Sequence, residues 1–208
     1  MTASELIAKF ELYVGDTTEL STQEELDLVN KIYLRCASDR AWEILKKEAT
    51  GTMTTTTTIT LPSDFEYILE SYNYTDNSKE TQLGAKPAMV YVGDLTFQVV
   101  NWSDRRQYTN NNNVCYVDQV NSVLKFPVAQ SASATYSFDY RFTPAALTAG
   151  TSPVFPARFH DVIYHGMCVD DMAIQLFDKA RSNTDFNQAM YNKYLTDMAF
   201  WNANLSMA

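Results

Sequence analysis

The sequence predicts an α+β fold: a helical bundle formed by both chain ends, with a central antiparallel β insertion arranged as a sandwich or small barrel. Three observations lead there. Apolar residues recur at intervals of three and four near both ends of the chain, and at intervals of two in its middle. In the stretch 134–160, Tyr136, Phe138, Tyr140 and Phe142 alternate with Thr135, Ser137, Asp139 and Arg141, so four rings share one face of a strand. That strand passes through a loop punctuated by Pro144, Pro153 and Pro156 straight into a helical pattern. The expected division is therefore 1–50 with 157–208 for the bundle and 51–156 for the insertion. A chain of 208 residues suits one core carrying one sizeable insertion.

The helical elements come first. Residues 3–13 place Leu6, Ile7, Phe10 and Tyr13 or Val14 on one face, and Gly15 ends the pattern. Ser21 and Glu24 form a capping box, with Glu25 and Asp27 in the first turn, where the helix dipole favours acids. Leu26, Val29, Tyr33 and Cys36 or Ala37 continue that helix's apolar face. A short helical stretch over 39–49 carries Trp42 and Leu45, with Lys46 and Lys47 near its end, and Gly51 stops it.

The β signals follow. Thr54 to Thr58 are β-branched and poor helix formers. With Ile59 and Leu61 they read as a strand running into the turn Pro62–Ser63–Asp64, or as an exposed tip. Further strands are expected at 66–74, at 88–92 and 95–101 across Gly93–Asp94, at 115–119 and 122–127 across Val120–Asn121, and at 134–142. Asn110 to Asn113 form a loop tip. After Pro156, the residues Val162, Ile163, Gly166, Val169, Ala173, Leu176, Phe177 and Ala180 trace one stripe through 157–181. As one helix this is about 35 Å long. Residues 182–185 break it, and Asp185 is placed to cap a last helix carrying Phe186, Met190, Lys193 or Tyr194, Met198 and Trp201.

Composition removes several classes of function. The net charge is −9, with seven acids and one base in residues 1–28. No basic stripe exists, which argues against tight nucleic-acid gripping. An acidic wall can still surround DNA without holding it. No run of apolar residues is long enough for a membrane helix. The opening residues lack the basic start and apolar run of a signal peptide. Cys36, Cys115 and Cys168 are odd in number and far apart, which suits neither a disulfide scaffold nor a zinc ribbon, and reduced synthesis in a cytoplasm is expected. The phosphate-loop, nucleophile-elbow, zincin, dinucleotide and calcium-loop patterns are all missing, so no cofactor and no metal are expected.

Asp161, His165 and Cys168 share one helix face. A cysteine hydrolase would need an activated thiolate aimed at substrate beside oxyanion donors. Three residues on one regular helix leave little room for that. The structural reading puts His165 and Cys168 at the edge of a bundle contact and Asp161 in the first helical turn. His160 opens the same helix, and Asp170 and Asp171 point in two directions around it. No residue is assigned a catalytic, metal-binding or cofactor-binding role. Trp102, Arg105, Arg106, Asn111 and Asn112 mark loops suited to partner or subunit contact, set against a plain exposed turn. Phe200, Trp201 and Leu205 are large apolar groups in the last nine residues, where chains fray. They either dock within the chain or anchor a partner.

Several segments taken in order resemble the head-to-tail adaptor (head-completion, or connector) proteins of tailed bacteriophages. They are the helix with Asn30 and Tyr33 followed by Trp42, the strand end ITLPSDF (59–65), the aromatic strand YSFDYRF, and a link into the closing helices. The link reads Tyr140, Pro144, Leu147 and Thr148, then Pro156, Phe159 and His160. The likeness is poorest between about residues 75 and 130. The resemblance implies a non-enzymatic virion protein that forms a dodecameric ring beneath the portal protein. Such a ring continues the DNA channel toward the tail, neck or nozzle without sequence-specific DNA binding. It also implies that the C-terminal segment with Phe200, Trp201 and Leu205 reaches the portal. A tail-completion or stopper protein of the virion is the alternative with the same materials, and the cysteine hydrolase is the enzyme alternative.

Overall fold

The computed structural model describes residues 1–15, 18–69, 88–111 and 113–205. The chain is α+β, with helices at both ends and a curled mixed sheet between them. It divides into two compact units: Met1–Leu45 together with Pro144–Ala208, and Lys46–Thr143. Asn112 and the end of the expected strand 66–74 lie outside the described residues.

In the helical unit, α1 (Ala3–Val14) starts on a Thr2–Glu5 capping box and ends at Gly15, whose φ of 76° suits glycine. α2 (Thr22–Ser38) starts on the expected Ser21–Glu24 box. After Pro156 come α3 (Asp161–Cys168), α4 (Asp171–Leu176), α5 (Asp178–Ser182) and α6 (Thr184–Leu205). The single helix expected over 157–181 is therefore broken twice. At the first break Asp170 is extended, its carboxylate accepts from the Met172 amide at 3.2 Å, and Lys31 reaches it at 2.6 Å. A side chain that caps a new helix competes with continuing the old one. At the second break Phe177 is extended and sets its ring edge-on to Phe10 at 5.7 Å. Asp185 lies in the first turn of α6 instead of capping it.

α3 packs against α1, α2 and α6. Gly166 permits this, because a Cβ there would stand 2.4 Å from Ile32 Cγ2 and 3.0 Å from the Tyr191 ring. Around it Leu6, Phe10, Ile32, Tyr33, Trp42, Ile163 and Met167 are fully buried.

The sheet unit contains β1 (Lys46–Thr52), β2 (Thr58–Thr60), β3 (Phe65–Ile68), β4 (Met89–Val92), β5 (Leu95–Val99), β6 (Val114–Asp118), β7 (Val123–Lys125) and β8 (Thr135–Phe142). Their order is β1-β8-β4-β5-β6-β7-β2, and β3 also pairs with β8. β1 and β2 stand at opposite ends of this order, yet only residues 53–57 separate them in the chain. So short a link forces the sheet to curl. Backbone bonds from Phe126 to Thr57 and from Met53 to Ala134 stitch the link down.

Three expectations are corrected here. The helix over 39–49 is a short 3-10 turn, Glu43–Leu45, followed by β1. Lys46–Thr52 has no apolar period to announce a strand, but it pairs with β8 without a break from Lys46↔Arg141 to Thr52↔Thr135. The first four threonines of the run form an exposed bend, the tip alternative and not the strand, and only Thr58–Thr60 is strand. The sheet is mixed, not antiparallel, because β5 and β6 run parallel at Gln98↔Val114 and Val99↔Cys115. Residues 100–113, with a 3-10 segment Trp102–Tyr108, supply the long connection that a parallel pair needs. Three of the four expected rings of β8 stand in one row: Tyr136, Phe138 and Tyr140 follow one another at 6.1 Å spacings. Arg141 is buried as well, 3.0 Å from the Glu66 carboxylate.

Candidate functional site

Several of the residues that carry the adaptor resemblance, Asn30, Tyr33, Trp42, Leu147 and His160, are brought together inside the helical unit, whereas the strand end 59–65 and the aromatic strand 136–142 belong to the sheet unit. Asn30 on α2 grips the link segment at both ends of one peptide residue. Its amide donates to the Leu147 carbonyl at 3.0 Å, and its carbonyl accepts from the Leu147 N–H at 2.6 Å. Tyr33 and Trp42 both set their rings edge-on to Phe155, at 6.0 and 5.7 Å. The Trp42 indole N–H donates to the Cys36 carbonyl at 2.8 Å. His160 Nε2 lies 2.7 Å from the Phe155 carbonyl, which makes it the donor and leaves Nδ1 to accept from the Met1 ammonium at 2.8 Å. These side chains hold the link against α2.

Asp161, His165 and Cys168 are not arranged for nucleophilic attack. Asp161 pairs with Lys9 at 2.6 Å. His165 is buried, with Nδ1 3.0 Å from Asn187 Oδ1, and Asn187 Nδ2 donates to Tyr13 at 2.9 Å. Burial holds His165 below the ordinary imidazole range. Burial also pushes the Cys168 thiol up to about 12 and that of Cys36 to about 11, so both stay protonated and unreactive. Cys115 is raised by burial too.

The C-terminal aromatic group is divided. Trp201 packs on Phe159 at 5.5 Å with the Arg158 guanidinium over its ring, and Asn202 accepts from the Glu43 amide at 2.6 Å. Those contacts fasten the end of α6 within the helical unit. Phe200 stays 68% exposed, and Leu205 is exposed as well.

The sheet unit carries an open cleft of about 440 Å³. Its walls are β3, the chain Val99–Trp102 where β5 leaves the sheet, and residues 117–120 at the end of β6. Trp102 lies between the Arg105 guanidinium, 3.8 Å from its ring centre, and Tyr116 at 5.4 Å. Asn101 precedes the 3-10 segment, and its backbone carbonyl accepts from the Asp104 amide at 3.0 Å. Asp118 organises the β6–β7 turn by accepting from Asn121 at 2.8 Å and Lys125 at 2.6 Å. Those two bonds, Lys125 first, hold its carboxyl down at about 2. Of the four large apolar side chains exposed on the described part of this unit, three line the cleft: Tyr67, Trp102 and Val120.

Of the sequence candidates, Trp102 is on the cleft and Arg105 backs it, whereas Arg106 is exposed and Asn111 shapes its own loop by accepting from the Asn113 amide. Tyr67 and Val120 escaped the sequence reading. Val120 had left a signal, since an apolar residue at a turn tip departs from ordinary turn chemistry.

No helix among the described residues is long and apolar enough to cross a membrane. A family model described as SU10 adaptor protein matches residues 1–207. No curated protein matches the chain.

Proposed function

The chain belongs to the SU10 adaptor family, a phage head-to-tail adaptor family, and from that premise we propose that it is a structural, non-catalytic component of the virion. It is made in the host cytoplasm and assembles as a dodecameric ring beneath the portal protein, joining the head to the tail or neck. The observation that carries this reading is the family match along residues 1–207.

The two units take different shares of the task. The helical unit forms the bundle of the ring subunit. Its acidic opening helices give a wall that repels DNA and keeps it mobile in the channel. Phe200 and Leu205, the outward members of the C-terminal group, meet the portal. The sheet unit meets the tail or neck protein. Deep burial of Cys168 and His165 supports a role without nucleophilic chemistry.

The test is a phage carrying a deletion of this gene. Heads without tails should accumulate, and supplying the protein in trans should restore joined particles. Tailed, infectious particles from the deletion would sink the proposal. For the portal contact, Phe200→Ser with Leu205→Ser should leave the fold intact and remove the protein from purified heads. Point substitutions are preferable to truncation, because Trp201 and Asn202 also hold α6 in place.

A further inference from the structure

α6 carries two rows of side chains. The inner row is Asn187, Tyr191, Tyr194, Met198 and Trp201. Asn187, Tyr191 and Met198 are buried, Tyr194 stacks on His165 at 5.7 Å, and Trp201 packs on Phe159. A second row repeats at alternating intervals of four and three along one flank: Phe186, Met190, Lys193, Asp197, Phe200 and Asn204. That is the spacing of a helix–helix seam, and it runs about 27 Å along the axis. Phe186 is 59% and Phe200 68% exposed, Asn204 is exposed and Met190 is half-buried. Among the 22 residues of α6 the charged ones are Asp185, Lys193 and Asp197 alone. A helix flank left to solvent ordinarily carries more charge and fewer rings.

The second row complements itself. Laid antiparallel on a copy of α6, about a two-fold axis beside position 195, it sets Lys193 against Asp197, Met190 against Phe200 and Phe186 against Asn204, each twice over. Within one chain Lys193 and Asp197 are bonded at 2.9 Å, and both are partly solvated. An exposed pair of that kind contributes little alone. In the antiparallel arrangement each charge keeps its own partner and gains an opposite charge across the seam. Sliding the second helix until Phe186 meets Phe200 sets Lys193 against Lys193, and so does laying the helices parallel in register. The charges therefore choose the register.

We propose that the free protein pairs with a second copy of itself through this row of α6, as a two-fold dimer. A pair of this symmetry uses the same patch on both chains, whereas closing a ring takes two different patches. The dimer is thus a state of the unassembled protein. Phe200 lies in the seam, so pairing covers a side chain assigned to the portal contact until the portal competes for it. That consequence rests on the adaptor reading, and the dimer does not.

Sedimentation equilibrium of the full chain at tens of micromolar should give twice the chain mass of 23.6 kDa. Lys193→Glu and Asp197→Lys each place like charges across the seam, and each should raise the dimer dissociation constant at least about tenfold. Mixed in equal amounts, the two variants should pair with one another and regain the mass of the parent. Every charge across the seam is then opposite, although the bond within each chain stays broken, so recovery reports contact between chains and not repair of a fold. A monomeric parent, a ring-sized parent, a dimer indifferent to both substitutions, or a mixture no heavier than its components overturns the inference. None of these measurements involves a phage particle. Tailed particles from the gene deletion would therefore remove the adaptor reading and leave the dimer standing.

Discussion

In the helical unit His160, His165 and Asn187 are buried, and each has a partner supplied by another part of the same unit. In the sheet unit Tyr67, Trp102 and Val120 are exposed around an open cleft. One unit spends its polar and aromatic side chains on holding itself together. The other buries rings such as Phe97, Phe138 and Tyr140 but also keeps Tyr67, Trp102 and Val120 outward. A recognisable motif need not mark a recognition surface. Asn30, Trp42 and His160 carry the family likeness, yet they act as internal clamps. Two walls of the cleft fall between residues 75 and 130, and the third is β3, which begins at Phe65 in the strand end that carries part of the likeness.

The sharpest way to break this contrast is to truncate a tryptophan in each unit. Trp42→Ala should cost about 4 kcal/mol, because a fully buried ring is removed along with its hydrogen bond to Cys36. Trp102→Ala should cost about 1 kcal/mol or less, since its ring is partly solvated and lies on the surface. Urea unfolding measures both, and equal losses would abolish the distinction.

Next in size is a pH effect confined to the helical unit. Glu25 is buried, and that burial, reinforced by the nearby Glu11 carboxyl, pushes its pKa up to about 7. The folded protein therefore holds this proton more tightly than the unfolded chain does. The resulting stabilisation is complete below the ordinary carboxyl value of 4.5 and is lost as pH rises toward about 7. Its upper bound is about 3 kcal/mol. His160 and His165, whose pKa values are lowered by burial, act in the opposite direction as pH falls. Comparing Glu25→Gln with the parent at each pH isolates the Glu25 contribution. The gap in melting temperature should favour the variant at pH 7.5 and shrink toward pH 5. A gap independent of pH would reject the assignment.

Smaller again is Gly166→Ala, expected to cost about 2 kcal/mol from overpacking against Ile32 and Tyr191 despite alanine's better helix propensity. A neutral result would mean that α3 does not approach α2 and α6 so closely. The smallest effect belongs to Val120→Lys, which should change stability by less than about 0.5 kcal/mol. A larger loss would mean that this turn is part of a core.

Much of this contrast was legible in the sequence. Periodicity of three and four located α1, α2 and α6, the Ser21–Glu24 box fixed a helix start, and the alternating rings of β8 fixed a strand and its buried face. Periodicity failed where a single side chain redirects the backbone. Asp170 and Phe177 keep the apolar stripe of a continuous helix while bending the chain away from it. It failed again at β1, whose strand character comes from pairing with β8, ninety residues onward, and from nothing in its own pattern. Parallel pairing of β5 with β6 depends on how a long connection folds back, which no local rule reveals. Of the cleft, only Trp102 and Arg105 were visible beforehand, because a cleft between strands exists only once registers are set.

The two units also differ in when they can form. Lys46–Thr143 is an uninterrupted stretch, whereas the helical unit needs residues from both sides of it. On the ribosome the sheet unit has all of its residues available while α3 and α6 are still unmade, so α1 and α2 must wait with their apolar faces open. Late closure of this kind ties maturation of the helical unit to synthesis of α3 and α6, and a nascent chain stalled before α3 would offer a chaperone the faces that α3 later covers.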